Sequence, residues 1–110
     1  MIQMKQQLKP GDILVECWGY SMILYTFYKV LKVTDKSVWL QELTSVETGS
    51  DTYMRCWCTP TETPMFYNGE PAKAMQKILR HDAKGVAYVK TEHSTAILWD
   101  GKPRLNDTAD

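Results

Sequence analysis

Cys17, Cys56, Cys58, His81 and His93 are the side chains of this chain best equipped for chemistry. Thiolate and imidazole groups ligate zinc, with sulfurs about 2.3 Å from the ion and paired ligands spaced Cys-x2–4-Cys. Here the pair is Cys56-Trp57-Cys58, one residue too close. On a strand both side chains leave the same face, about 6.5–7 Å apart at the backbone. No second pair accompanies them. Free cysteine is among the most buried residue types, so packing is the expected role, with no metal and no cofactor. A Cys–His nucleophile needs a third, orienting group, and none stands at a recognisable spacing. No Gly-rich phosphate loop, nucleophile elbow or His-Glu-x-x-His motif occurs. The expectation is that this is not an enzyme.

Binding is the remaining class of chemistry, and charge and aromatic content bear on it. Thirteen Lys and Arg balance thirteen Asp and Glu, which removes strong overall attraction to nucleic acid or an anionic membrane. The balance is uneven along the chain. Between residues 73 and 90, Lys73, Lys77, Arg80, Lys84 and Lys90 face only Asp82. Between 35 and 70, Asp35, Glu42, Glu47, Asp51, Glu62 and Glu70 outnumber Lys36 and Arg55. Neighbouring segments of opposite sign neutralise one another at little energetic gain. Left unpaired, they orient a molecule on a charged partner. Four Trp, six Tyr and two Phe are too many rings for one small core, so some must face outward. Trp18, Tyr20, Tyr53 and Trp57, with Arg55 beside them, are the candidates for stacking on bases or anchoring a protein interface.

These side chains are positioned by short strands. The length of 110 residues is that of one small β domain, 44% of it hydrophobic. Lys9-Pro10-Gly11-Asp12 is a turn, followed by the strand-like run 13–18, with Gly19 marking a bend. A run over 24–33 closes at Thr34-Asp35-Lys36-Ser37 and returns over 38–43, an antiparallel hairpin. Residues 44–52 read as a polar loop. Residues 53–59 alternate Tyr53, Arg55 and Trp57 against Met54, Cys56 and Cys58, which is a strand. Pro60 and Pro64 argue against its continuation as a central strand. Asn68-Gly69-Glu70-Pro71 is a further turn.

Residues 71–84 support two readings. Pro71, good helix formers and Gly85 suit one short helix. The alternation of Met75, Lys77 and Leu79 with Gln76, Ile78 and Arg80, and the turn Asp82-Ala83-Lys84-Gly85 leading into 86–90, suit a hairpin. A last strand covers 96–99, and a frayed tail is expected over about 104–110. The fold class is mainly β, a small SH3-like barrel of five to seven antiparallel strands. Val15, Val30, Val33, Val38 and Leu40 fill its interior, so function must sit outside.

One run breaks the pattern. Six of the seven residues 22–28 are apolar or aromatic, Met22 and Leu24 among them, so both strand faces are greasy. Another segment, a second copy in a homodimer or a partner must cover the surplus. Three cysteines are an odd number, which suits reduced thiols in a cytoplasm. No stretch resembles a signal peptide or a membrane span.

Trp18-Gly19-Tyr20, Phe27-Tyr28-Lys29-Val30 and Trp99-Asp100-Gly101-Lys102-Pro103 resemble a family of small β proteins encoded by phages and mobile elements. The resemblance spans about residues 10–104. It implies a compact barrel, favours a hairpin over 73–90, and carries no settled activity. Where the family is polar after Trp-Gly-Tyr, this chain has Ser21, Met22, Ile23 and Leu24. Two functions follow as expectations. The first is a phage protein that binds a host protein or protein–nucleic-acid complex, in the manner of an anti-CRISPR inhibitor of a host defence nuclease. The second is a small barrel binding single-stranded DNA or RNA through Lys73, Lys77, Arg80, Lys84 and Lys90, with Tyr88 nearby.

Overall fold

Turn chemistry sets the chain's course. In a computed structural model, which describes residues 6–18, 24–52, 55–91 and 94–107, Gly11 takes a φ of 96°. That left-handed value lets Lys9–Asp12 turn tightly, and the Asp12 carboxylate accepts the Lys9 amide at 2.9 Å. Asn68 and Gly69, at φ 55° and 81°, turn a two-residue hairpin of the kind their sequence demands.

Between such turns the alternating runs form eleven strands among the described residues: β1 (Ile13–Trp18), β2 (Leu24–Val33), β3 (Ser37–Thr52), β4 (Arg55–Pro64), β5 (Phe66–Tyr67), β6 (Glu70–Pro71), β7 (Met75–Ile78), β8 (Arg80–His81), β9 (Ala87–Lys90), β10 (Thr95–Leu98) and β11 (Arg104–Asp107). The protein is mainly β, and every pairing is antiparallel. Nine strands form one sheet. Its hydrogen-bonded path runs β11-β4-β3-β2-β1-β10-β9-β8, with β7 on the first part of β3. That path is open. Only Leu79 separates β7 from β8, however, and its amide donates to the Lys36 carbonyl at 2.9 Å. The chain itself therefore carries the sheet round from β8 to β3, giving a small barrel-like form.

The two faces of β1 and β2 explain the greasy run. Leu14, Tyr28, Val30, Val38, Leu40, Ala87, Val89 and Ala96 pack inside the curl, with Leu8 plugging one end. On the opposite face Val15, Phe27, Leu43 and Cys58 form a second cluster, flanked by Ile13, Tyr25 and Trp99. Its cover is the outer layer of β4 and β11, which β3 supplies by running on past the barrel; β11 packs beside β2. Phe27 is 1% exposed and meets Trp99 edge-on at 5.8 Å between ring centroids. Phe27 and Tyr28 thus find their cover within the chain, and Leu24, Tyr25 and Thr26 stay half-buried. Residues 22 and 23 lie outside the described residues.

Several expectations are corrected. Residues 44–52 are not a loop but the second part of β3, a 16-residue strand. Polar composition misled, because this part is a ribbon paired with β4 and open to water, so it needs no apolar face. β4 continues through Pro60, the partner of Ser45, with a register shift next to it between Leu43 and Ser45. Proline is tolerated there because β11 pairs only with residues 55–58, leaving 59–64 at an edge. No helix forms over 71–84: residues 75–78 pair with 37–40, and Arg80 and His81 with Tyr88 and Ala87. Helical propensity loses to the ladder and to the burial of Met75 and Leu79. Residues 104–107, expected as the start of a frayed tail, form a strand paired with β4. Val15 is buried in the outer cluster, not in the barrel interior. The strand count exceeds the expected five to seven because of this outer layer and three two-residue strands.

Candidate functional site

Alternation sends one set of β7–β10 side chains outward. Ala87, Val89 and Ala96 are fully buried, so Tyr88, Lys90 and Ile97 point to the exterior. Arg80 is the register partner of Tyr88, Tyr88 of Ile97, and Lys90 of Thr95. On β7, Ile78 is 60% exposed. Lys77 lies opposite Val38, on the side of Met75 and Leu79, and is half-buried; an amphipathic stem suits that position. Between β7 and β9 opens a cleft of 270 Å³ lined by Gln76, Lys77, Ile78, Arg80 and Lys90.

Three cations therefore converge on one cleft. Among the described residues no carboxylate forms an ion pair with any of them. Asp82, the one acid of the segment, accepts the backbone amides of Lys84 at 2.8 Å and Val86 at 3.0 Å. Its charge is spent on a turn. Lys73 is exposed before β7, and Lys84 is exposed in the 82–85 turn; both lie outside the cleft lining.

The remaining candidates scatter. Trp18 is half-buried, and its indole N–H donates to Thr26 Oγ1 at 2.8 Å. Leu24 is its register partner and half-buried too. Trp57, 41% exposed, sits on β4 between Gly49 and Leu105. Arg55 opens the same strand, where its backbone pairs with Thr52 and Asp107. Tyr20, Met22 and Tyr53 lie outside the described residues. Trp18 and Trp57 thus lie on β1 and β4, away from Lys77, Arg80 and Lys90 on β7, β8 and β9.

A second cleft, of 200 Å³, was not anticipated. It is lined by Val15, Cys17, Tyr25, Thr95, Ile97 and Arg104. Cys17 is an exposed free thiol, and Cys58 is buried. Arg104 Nη2 meets Asp100 Oδ1 at 3.4 Å, and its guanidinium lies 5.8 Å from the Tyr25 ring centroid. Its Nε is buried without a hydrogen-bond partner among the described residues. Burial, with the Cys17 thiol beside it, pushes the Tyr25 phenol above its ordinary value of 10.0. The Lys102 amide, then Arg104, hold Asp100 below the usual carboxylate range. Arg104 escaped the sequence reading because it stands in an apparently featureless polar tail. Pairing of β11 with β4 is what brings it against Tyr25.

A larger groove of 670 Å³ runs where residues 6–10 cross the end of the barrel. Its polar groups hold the chain together. The Gln6 amide donates to the Gly85 carbonyl at 2.7 Å, Gln6 Oε1 accepts the Ala87 amide at 2.9 Å, and His81 Nε2 lies 3.0 Å from the Gln6 carbonyl. Among the described residues no three His, Cys, Asp or Glu side chains are grouped to hold a metal. No helix among them is long and apolar enough to cross a membrane.

Comparison with protein-family models, with curated proteins and with solved structures found no match to this chain.

Proposed function

We propose that this protein is a non-enzymatic binding module whose ligand is nucleic acid, gripped along its phosphate backbone by the β7–β9 face. The observation that carries the reading is the convergence of Lys77, Arg80 and Lys90 on one exterior cleft without a carboxylate partner among the described residues. Cations that neutralise phosphates release condensed counterions, and this drives association even for a molecule of zero net charge. Arginine adds a planar fork suited to phosphate oxygens. Tyr88, next to Arg80 on the neighbouring strand, supplies a ring beside the charges.

Phosphate mimicry by the acidic residues, as in a defence-nuclease inhibitor, has less geometric support. Glu42 is engaged by the Tyr67 hydroxyl at 2.6 Å, and Glu62 lies 3.6 Å from Lys29 Nζ. These carboxylates already have partners; among the described residues the basic trio has no ion pair. With the phage-like sequence blocks, the reading places such a module among host nucleic acids in a cytoplasm.

Fluorescence anisotropy of labelled oligonucleotides tests the proposal. Three phosphate contacts give a salt slope of about −2 on a log–log plot for a single strand. Replacing Lys77, Arg80 and Lys90 together by Gln should abolish binding while thermal unfolding stays unchanged. An anisotropy flat at low salt for single-stranded DNA, single-stranded RNA and duplex would overturn the reading.

A further inference from the structure

We infer that the ligand path continues from the basic cleft across β9, β10 and β1 to the second cleft at Arg104, Tyr25 and Cys17, and that a single strand lies along it with bases laid on Tyr88 and Ile97. This rests on the nucleic-acid reading above and specifies its ligand and its length.

The register supplies the path. Arg80 faces Tyr88, Tyr88 faces Ile97, and Ile97 faces Val15. These four make one row on the outer side of four neighbouring strands. Ile97, 42% exposed, also lines the second cleft. The row begins at the basic cleft and ends at the other. Three strand spacings of about 4.8 Å put its ends about 14 Å apart, room for more than one nucleotide.

Composition along the row selects a single strand. A duplex presents phosphates and sugars to a flat protein face, so apolar groups among the cations would gain nothing. A single strand has unstacked bases to lay on rings and aliphatic side chains between its phosphate contacts. Ile78, Tyr88 and Ile97 provide those surfaces, with Lys77, Arg80 and Lys90 at one end and Arg104 at the other. Arg104 retains donor capacity at its partly exposed guanidinium tip, whose ion pair among the described residues is the 3.4 Å contact of Nη2 with Asp100. Ile97 stays 42% exposed, so the row is open as far as β10, and Val15, buried at 4%, forms the floor of the second cleft.

Cys17 lies in the wall of the second cleft and reports its occupancy. In a Cys56→Ser background, alkylation of Cys17 by a maleimide is followed by peptide mass analysis, with and without a saturating oligonucleotide. A single-stranded oligonucleotide should slow Cys17 labelling severalfold, while an equally saturating duplex should leave it unchanged. Arg104→Gln should weaken single-strand binding by roughly tenfold, one charge-assisted contact, with Arg104→Lys partly restoring it. Binding that depends on Lys77, Arg80 and Lys90, yet leaves Cys17 labelling unchanged and ignores Arg104→Gln, would overturn the extended path and leave the proposed function standing. Equal protection by duplex would overturn the single-strand assignment. Absence of binding to every oligonucleotide at low salt would overturn both.

Discussion

The Tyr28 hydroxyl donates to Glu16 Oε1 at 2.9 Å across the β1–β2 pair, and Glu16 is 1% exposed. Thr91 Oγ1 donates to the other carboxylate oxygen. Thr91 also accepts the Ser94 amide at 3.1 Å, fastening the β9–β10 connection to the same group. A buried carboxylate persists only where donors replace its water. Tyr28→Phe removes one donor and should lower stability by about 1–3 kcal/mol in urea unfolding, with little change in slope. Glu16→Ala, which leaves two hydroxyls and a void, should cost more than Tyr28→Phe.

Alkaline pH should loosen the fold in a defined direction. Burial, then the Glu16 charge, pushes the Tyr28 phenol far above its ordinary value of 10.0. The hydrogen bond to Glu42 pushes Tyr67 up to about 12. Both groups ionise more readily in the unfolded chain. Their contribution is therefore full below pH about 10 and is lost as pH rises through the raised values. Phenolate absorbance should show at least two tyrosines titrating late, and Tyr67→Phe should remove one of them. Six tyrosines titrating together near the ordinary value would contradict the packing of Tyr28.

Phe27 and Trp57 should behave oppositely despite both being aromatic. Phe27 is 1% exposed and closes the outer cluster, whereas Trp57 is 41% exposed. Phe27→Ala should cost about 3–5 kcal/mol by thermal or urea unfolding. Trp57→Ala should stay within about 0.5 kcal/mol of the parent, as surface changes do.

Within the basic segment, position should outweigh charge. Lys77→Gln or Lys90→Gln, in the cleft, should each reduce the single-strand salt slope by about 0.7. Lys73→Gln and Lys84→Gln, outside it, should change the slope less. Equal effects at all four positions would indicate diffuse attraction and not a cleft.

Much of this architecture was readable residue by residue. Alternation placed β1, β2 and the first part of β3. Lys9-Pro10-Gly11-Asp12, Asn68-Gly69 and Asp82–Gly85 announced their turns through residues that tolerate left-handed backbone or bond to it. Val30, Val38 and Leu40, expected inside, are fully buried. These are local properties, set by a two-residue period and by the steric freedom of glycine. The basic segment was likewise legible as charge.

Pairing across long separations was not legible. Whether 44–52 was loop or strand depended on β4 arriving beside it, and whether 71–84 was helix or strand depended on β3 and β9 offering ladders. The same holds for Arg104, placed against Tyr25 by strands distant in sequence. Alternation says which side chains share a face, but not which strand lies next door, since that choice is made by the competing closures of the whole chain. The double burial of β1 and β2, and the selection of three cations out of five for one cleft, belong to that choice.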